Sequence, residues 1–223
     1  MSDLILDLNK KIELSLEKAG VVNVPKLEVR LAVDESGSMQ DEYAAGLVDA
    51  IIDRFIVAAM KFDDNQSLDV AFFSNGLRDA PAALAEDVGS YLRRKGGRHN
   101  WGGTNYAPII EHFETRVAPP KKGLFGIGGG QPEGTSKYRG YCAVITDGDN
   151  SDKSYFERQL NATSGDTYYE FIAIGTDIHP GYLTAIAERY KNVGFTHIVS
   201  PRTITDQEFY DALINTKFVE WIG

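Results

Sequence analysis

Residues 26–62, KLEVRLAVDESGSMQDEYAAGLVDAIIDRFIVAAMKF, decide the fold. The run KLEVRLAV reads as a strand that ends at Asp34. DEYAAGLVDAIIDRFIVAAMKF reads as one long helix, with Leu47, Val48, Ile51, Phe55, Ala58, Ala59 and Phe62 on a broad apolar face. Between them lies a short polar loop, with Ser36 and Ser38 on either side of a glycine.

The unit then recurs. SLDVAFFS (67–74), YRGYCAVIT (138–146), TYYEFIAIG (167–175) and VGFTHIVS (193–200) read as strands. NYAPIIEHFETRV, DKSYFERQL, GYLTAIAERY and TDQEFYDALI read as helices, and Thr205 and Glu208 in the last have capping-box spacing. Strands alternating with helices predict an α/β domain over 25–223: a doubly wound, mostly parallel sheet with helices on both faces. YRGYCAVIT is almost continuously apolar, as a central parallel strand requires. No internal repeat is visible.

Two segments stand apart. In residues 1–24, Leu4, Leu8, Ile12 and Leu16 recur at helical spacing, although Leu4, Leu6 and Leu8 also alternate as in a strand. The helical reading, packed on the domain, is preferred, with a stop at Gly20. Residues 118–136, APPKKGLFGIGGGQPEGTS, form a glycine-rich insertion that follows a helix and precedes a strand. A dinucleotide fingerprint has the reverse context, and the insertion lacks Gly-Lys-Ser/Thr, so a phosphate loop is rejected in favour of a mobile surface loop. Leu124, Phe125 and Ile127 within it would pack back on the domain or touch a partner.

Composition narrows the function. The chain has 223 residues, 43% hydrophobic and 25% charged, with a formal charge of −9. That balance argues against general binding to nucleic acid or anionic lipid. No apolar run has the length of a membrane span, and the N-terminus is too charged for a signal peptide. Cys142, the single cysteine, cannot form an internal disulfide, and the expected compartment is the cytoplasm.

The carboxyl edge of such a sheet is where ligands gather. Asp34, Ser36 and Ser38 lie there, WGGTNYAP brings Thr104 to the start of a helix, and VITDGDNSD brings Asp147 to the end of the strand expected beside the first. Each has an ordinary structural explanation: Ser38 as an N-cap with Asp41 three residues on, Thr104 as a cap, Asp147 as a turn-former. Together they are oxygen donors from three loops, the chemistry of a site for a hard divalent cation. Glu35, Asp149 and Asp152 are nearby and are read by default as solvated loop carboxylates.

The pattern Asp34-Glu35-Ser36-Gly37-Ser38, with Thr104 and Asp147 following in this strand order and Met39 after the serines, resembles the metal-ion-dependent adhesion site of von Willebrand factor type A domains. SLEKAG, VDESGSM, ITDGDNSDK, FIAIG and FYDALINTKFVEWIG are further similar to the A-type domain at the C-terminus of TerF proteins of tellurium-resistance systems. These residues read as the A-type domain with little else, whereas longer TerF relatives carry an extra TerD-like domain. The resemblance implies a Rossmann-like fold in which Ser36, Ser38 and Thr104 are direct hydroxyl ligands of Mg2+, with Mn2+ or Ca2+ as alternatives. It also implies that Asp34 and Asp147 act mainly through waters. Neutral direct ligands leave the cation undercompensated, so the site would take an Asp or Glu of a protein partner.

The leading expectation is therefore a non-enzymatic, metal-dependent protein-interaction module of a tellurite or chemical-stress system. The alternative is a magnesium-dependent hydrolase acting on a phosphoester. It lacks a convincing base or nucleophile: His99 alone among the histidines is close in sequence to a site loop, His112 lies in a helix, and His179 and His197 lie near other elements with no matching partner. A nucleotide-binding reading fails on the missing glycine fingerprint.

Overall fold

The computed structural model describes residues 3–23, 25–117, 138–176 and 178–223, with side chains to residue 114 in the helix that ends at 117. The glycine-rich insertion expected at 118–136 lies outside the described residues.

Among the described residues, six strands form one sheet: β1 (Leu27–Asp34), β2 (Leu68–Phe73), β3 (Leu77–Ala83), β4 (Arg139–Thr146), β5 (Thr167–Ile174) and β6 (Val193–Ile198). Their spatial order is β3-β2-β1-β4-β5-β6. The order reverses direction at β1, so β1 and β4 lie side by side, in parallel register from Leu27↔Arg139 to Val33↔Ile145. This reversal opens the crevice that a doubly wound sheet offers to ligands. All pairs are parallel except β2 with β3, an antiparallel hairpin at the edge. The sequence reading missed β3, LRDAPAA, because its side chains are mostly polar or small and it contains Pro81. An edge position tolerates both features, since one side of the strand makes no ladder.

Alternation along β1 separates two apolar layers. Leu31 and Val33 face a core with α1 (Asp3–Lys18), α3 (Leu47–Phe62), α7 (Asp206–Leu213) and α8 (Thr216–Ile222); Ala32 faces a second core with α4 (Ala107–Val117), α5 (Lys153–Asn161) and α6 (Gly181–Arg189). The N-terminal helix α1 buries Ile5, Leu8, Ile12 and Leu16 and leaves Leu4, Leu6 and Leu14 nearly half exposed. Ser15 and Lys18 both donate to the carboxylate of Asp211 on α7, at 2.6 Å each.

The single helix read over 41–62 is in fact two, α2 (Gln40–Ala44) and α3. Gly46 separates them at φ 73°, a left-handed conformation that glycine adopts without a Cβ clash. The break lets α2 turn with the serine loop while α3 packs along β1. Among the described residues, no helix is long and apolar enough to cross a membrane.

Candidate metal site

Three loops at the carboxyl edge of β1, β2 and β4 hold one another. The amide of Glu35 donates to Phe73 O at 2.8 Å, and that of Asn105 to Ser74 O at 2.9 Å. Ser36 forms a β-bridge with Gly102, and the Gly37 amide donates to Gly102 O at 3.0 Å. The Gly103 amide donates to Asn75 Oδ1 at 2.8 Å, and a Cβ on Gly103 would lie 2.7 Å from that oxygen, so a larger residue would have to displace the Asn75 side chain. On the other side, the Ser151 amide donates to Thr104 O at 2.8 Å. The loops bearing Ser36, Thr104 and Asp147 are thus joined by backbone bonds.

The side chains converge. Ser36 Oγ is 3.1 Å from Ser38 Oγ, and Ser38 Oγ donates to Asp147 Oδ1 at 2.8 Å. Asp34 lies beneath them, fully buried. Its Oδ1 accepts from the Ser36 amide and its Oδ2 from Thr146 Oγ1, both at 2.7 Å. Burial pushes the Asp34 carboxyl up to about 6; these two hydrogen bonds oppose the shift and the charge of Asp147 adds to it. Thr104 is buried at the end of its pinned loop.

The donor set fits a hard divalent ion. Every group is an oxygen. Neighbouring ligands of an octahedral ion held at about 2.0–2.1 Å lie about 2.9 Å apart. The Ser36–Ser38 separation of 3.1 Å is close to that edge, and Asp147 Oδ1, accepting from Ser38 Oγ at 2.8 Å, orients that hydroxyl. Asp34 is a buried carboxylate whose hydrogen-bond donors, an amide and a hydroxyl, are both neutral, and a nearby dication would offset its desolvation. A second acidic group, Glu28, Asp63 and Asp64, sits at the opposite end of β1. There Asp63 is occupied with backbone, accepting from Val29 N at 2.9 Å and Asn65 N at 3.1 Å.

Several ordinary explanations weighed from sequence are replaced. No cap bond from a side chain starts the turn at Gly37–Met39 or the helix α2, so Ser38 is not acting as their cap. The first amides of α4 are capped by Asp152, which accepts from Tyr106 N at 3.0 Å and Ala107 N at 2.8 Å, not by Thr104. Asp152 is therefore not a merely solvated carboxylate. Neither is Glu35, which is 2% exposed and ion-paired with Arg78 at 2.7 Å through a two-nitrogen fork. Both carboxylates were drawn in because helix amides and a guanidinium compensate their desolvation. Asp149 faces His179 at 3.8 Å.

The histidines are engaged elsewhere. His99 Nδ1 lies 3.3 Å from Glu35, with its ring against Tyr43 and Trp101. His112 pairs with Asp79 at 2.9 Å, and His197 Nε2 lies 2.8 Å from Gly175 O. Sequence reasoning missed two residues that support the site, Thr146 and Tyr106. Tyr106 donates to Gly148 O at 2.7 Å and reaches Thr146 Oγ1 at 3.3 Å, fixing the turn that carries Asp147. The position of Thr146 immediately before Asp147 was the available signal.

A 3-2-1-4-5-6 sheet with a Ser-x-Ser loop after β1, a threonine loop between β3 and α4 and an aspartate after β4 is the arrangement of a von Willebrand factor type A domain. The chain belongs to the vWA-TerF-like family, the vWA found in the TerF C terminus, whose sequence model matches residues 26–223. A curated relative, the uncharacterized protein YcbR of Bacillus subtilis (strain 168), is 26% identical over 226 residues, covering 97% of this chain and 86% of its own.

Solved structures share the fold at low identity. A von Willebrand factor type A protein from Catenulispora acidiphila superposes with a TM-score of 0.59 at 18% identity, over 86% of this chain and 43% of that one. Proximal thread matrix protein 1 from the mussel byssus, in a form with a zinc-occupied MIDAS motif, superposes with a TM-score of 0.57 at 15% identity, over 86% of this chain and 47% of that one. The chain thus spans less than half the length of these structures.

Proposed function

We propose that this chain is a divalent-metal-dependent protein-interaction module rather than an enzyme, with Asp34, Ser36, Ser38, Thr104 and Asp147 forming its metal site. The observation that carries the reading is the pair of Ser36 and Ser38 hydroxyls, 3.1 Å apart, with Asp147 hydrogen-bonded to Ser38 and Asp34 buried beneath them. Ser36, Ser38 and Thr104 supply neutral oxygens, and Asp34 and Asp147 orient them and hold water. The ion, Mg2+ with Mn2+ or Ca2+ as alternatives, supplies positive charge that a hard anionic oxygen satisfies. An Asp or Glu of a protein partner is that oxygen.

The family name supports a place in a tellurium-resistance or chemical-stress system, and the cytoplasm is the compartment proposed. The zinc-occupied motif of the mussel protein supports a metal at the same kind of site. The phosphoester-hydrolase alternative draws no support from His99, which is turned to Glu35 and enclosed by aromatic rings. Calorimetric titration with magnesium tests the proposal. Wild type should bind one ion, and Ser36→Ala and Ser38→Ala should each weaken binding while melting as wild type does. Unchanged affinity in both variants would refute the site.

A further inference from the structure

The rim of the site on its β2 side has features that metal binding does not need. Trp101 is a large aromatic residue, 42% exposed, immediately before the Gly102 that bridges Ser36. Its ring is nonetheless fixed, 5.0 Å from His99 and edge-on to Tyr43 at 5.4 Å. Tyr43 in turn donates to Asp34 O at 3.0 Å. Beneath the rings, Glu35 holds His99 and Arg78, and Arg78 also donates to Gly96 O at 2.9 Å while its guanidinium lies 4.2 Å over Phe72. An exposed aromatic held by a buried ion pair contributes contact area with little ordering entropy on association.

The charge at this rim runs against the rest of the chain. Residues 93–98 read RRKGGR in a protein of formal charge −9. Arg94 and Lys95 are taken up by Asp87, at 3.2 and 2.6 Å. Arg98, next to His99, is exposed.

We infer that this rim is a recognition surface for an acidic segment of a partner protein, which places one carboxylate at the metal, an adjacent apolar side chain on Trp101 and a second carboxylate at Arg98. The inference rests on the proposed metal site and goes beyond it by naming which residues choose among acidic partners. The metal and Arg98 both select against basic segments, while Trp101 selects among acidic ones. A nucleic acid would meet a chain of formal charge −9, so charge complementarity at Arg98 favours the acidic peptide.

The test is selection from a displayed random heptapeptide library in magnesium and in EDTA, on wild type, Trp101→Ala, Trp101→Phe and Arg98→Gln. In magnesium, wild type should enrich peptides with Asp or Glu beside an apolar residue and with a second acid. Trp101→Ala should bind those peptides about tenfold more weakly, as truncation of an aromatic anchor does, with unchanged magnesium affinity by calorimetry. Trp101→Phe should retain the apolar preference, and Arg98→Gln should lose the second acid only. Enrichment of a lone carboxylate, identical peptide sets from all variants, or no enrichment by protein that binds magnesium would overturn the inference while leaving the metal site standing. Absence of magnesium binding by wild type would remove both. Magnesium-dependent dimerisation lost in Trp101→Ala would assign the rim to a second copy and overturn the partner proposed.

Discussion

Ser38 Oγ lies 2.8 Å from Asp147 Oδ1, although 109 residues separate them in the chain. The contact exists because β1 and β4 are neighbours and both end at the same edge of the sheet. The sheet order therefore assembles the site, and backbone bonds between loops hold it in place.

Thr146 should matter to metal binding without being a ligand. Its hydroxyl donates to Asp34 Oδ2 at 2.7 Å and meets Tyr106 at 3.3 Å. Thr146→Val keeps the β-branched shape and removes the donor. Loss of such an outer hydrogen bond should lower metal affinity roughly 10- to 100-fold. Calorimetry with magnesium, beside a thermal melt showing an intact fold, checks this.

The Glu35–Arg78 pair offers a stability test. Arg78→Met leaves Glu35 buried without its guanidinium and should destabilise by about 3 kcal/mol. The double variant Glu35→Gln/Arg78→Met should be more stable than Arg78→Met alone, since no charge is then stranded. Urea unfolding of wild type, Glu35→Gln, Arg78→Met and the double variant measures the coupling, and strictly additive effects would contradict it.

Asp152 should behave as the cap of α4. Its two oxygens accept from the amides of Tyr106 and Ala107. Asp152→Ala should destabilise by about 1–2 kcal/mol, and Asp152→Asn by less. Equal losses in chemical unfolding would mean that the carboxylate's charge, not its capping oxygen, is what counts.

Glu170 predicts a pH dependence away from the metal site. It is fully buried on β5, accepts from Thr196 Oγ1 at 2.7 Å, and has its carboxyl pushed up to about 7, chiefly by burial. Its folded value exceeds the unfolded one, so its contribution is intact below about pH 4 and is lost as pH rises through about 7. Glu170→Gln should therefore be more stable than wild type at pH 8, by roughly 3 kcal/mol, with the gap closing toward pH 5. Melts at both pH values check the sign.

Much of this was legible in residues 26–62. Period-two and helical patterns gave the strand and helices, and the loops that carry Asp34, Ser36, Ser38, Thr104 and Asp147 could be placed at one edge because α/β sheets gather loops there. The break at Gly46 was hidden because the apolar pattern continues across it. β3 was hidden because an edge strand need not be apolar. The partners of Glu35 and Asp152 were hidden for another reason. A carboxylate beside a metal motif looks solvated until the fold brings Arg78 or the first amides of α4 to it, and those contacts span 43 and 45–46 residues.

The most direct test of the central claim is a crystal structure of the chain grown with Mn2+, read from anomalous difference density. The account predicts one principal peak among Ser36 Oγ, Ser38 Oγ and Thr104 Oγ1, at about 2.1–2.2 Å from the two serine oxygens. A peak confined to Glu28, Asp63 and Asp64, or no peak at the serine loop at millimolar Mn2+, would contradict it.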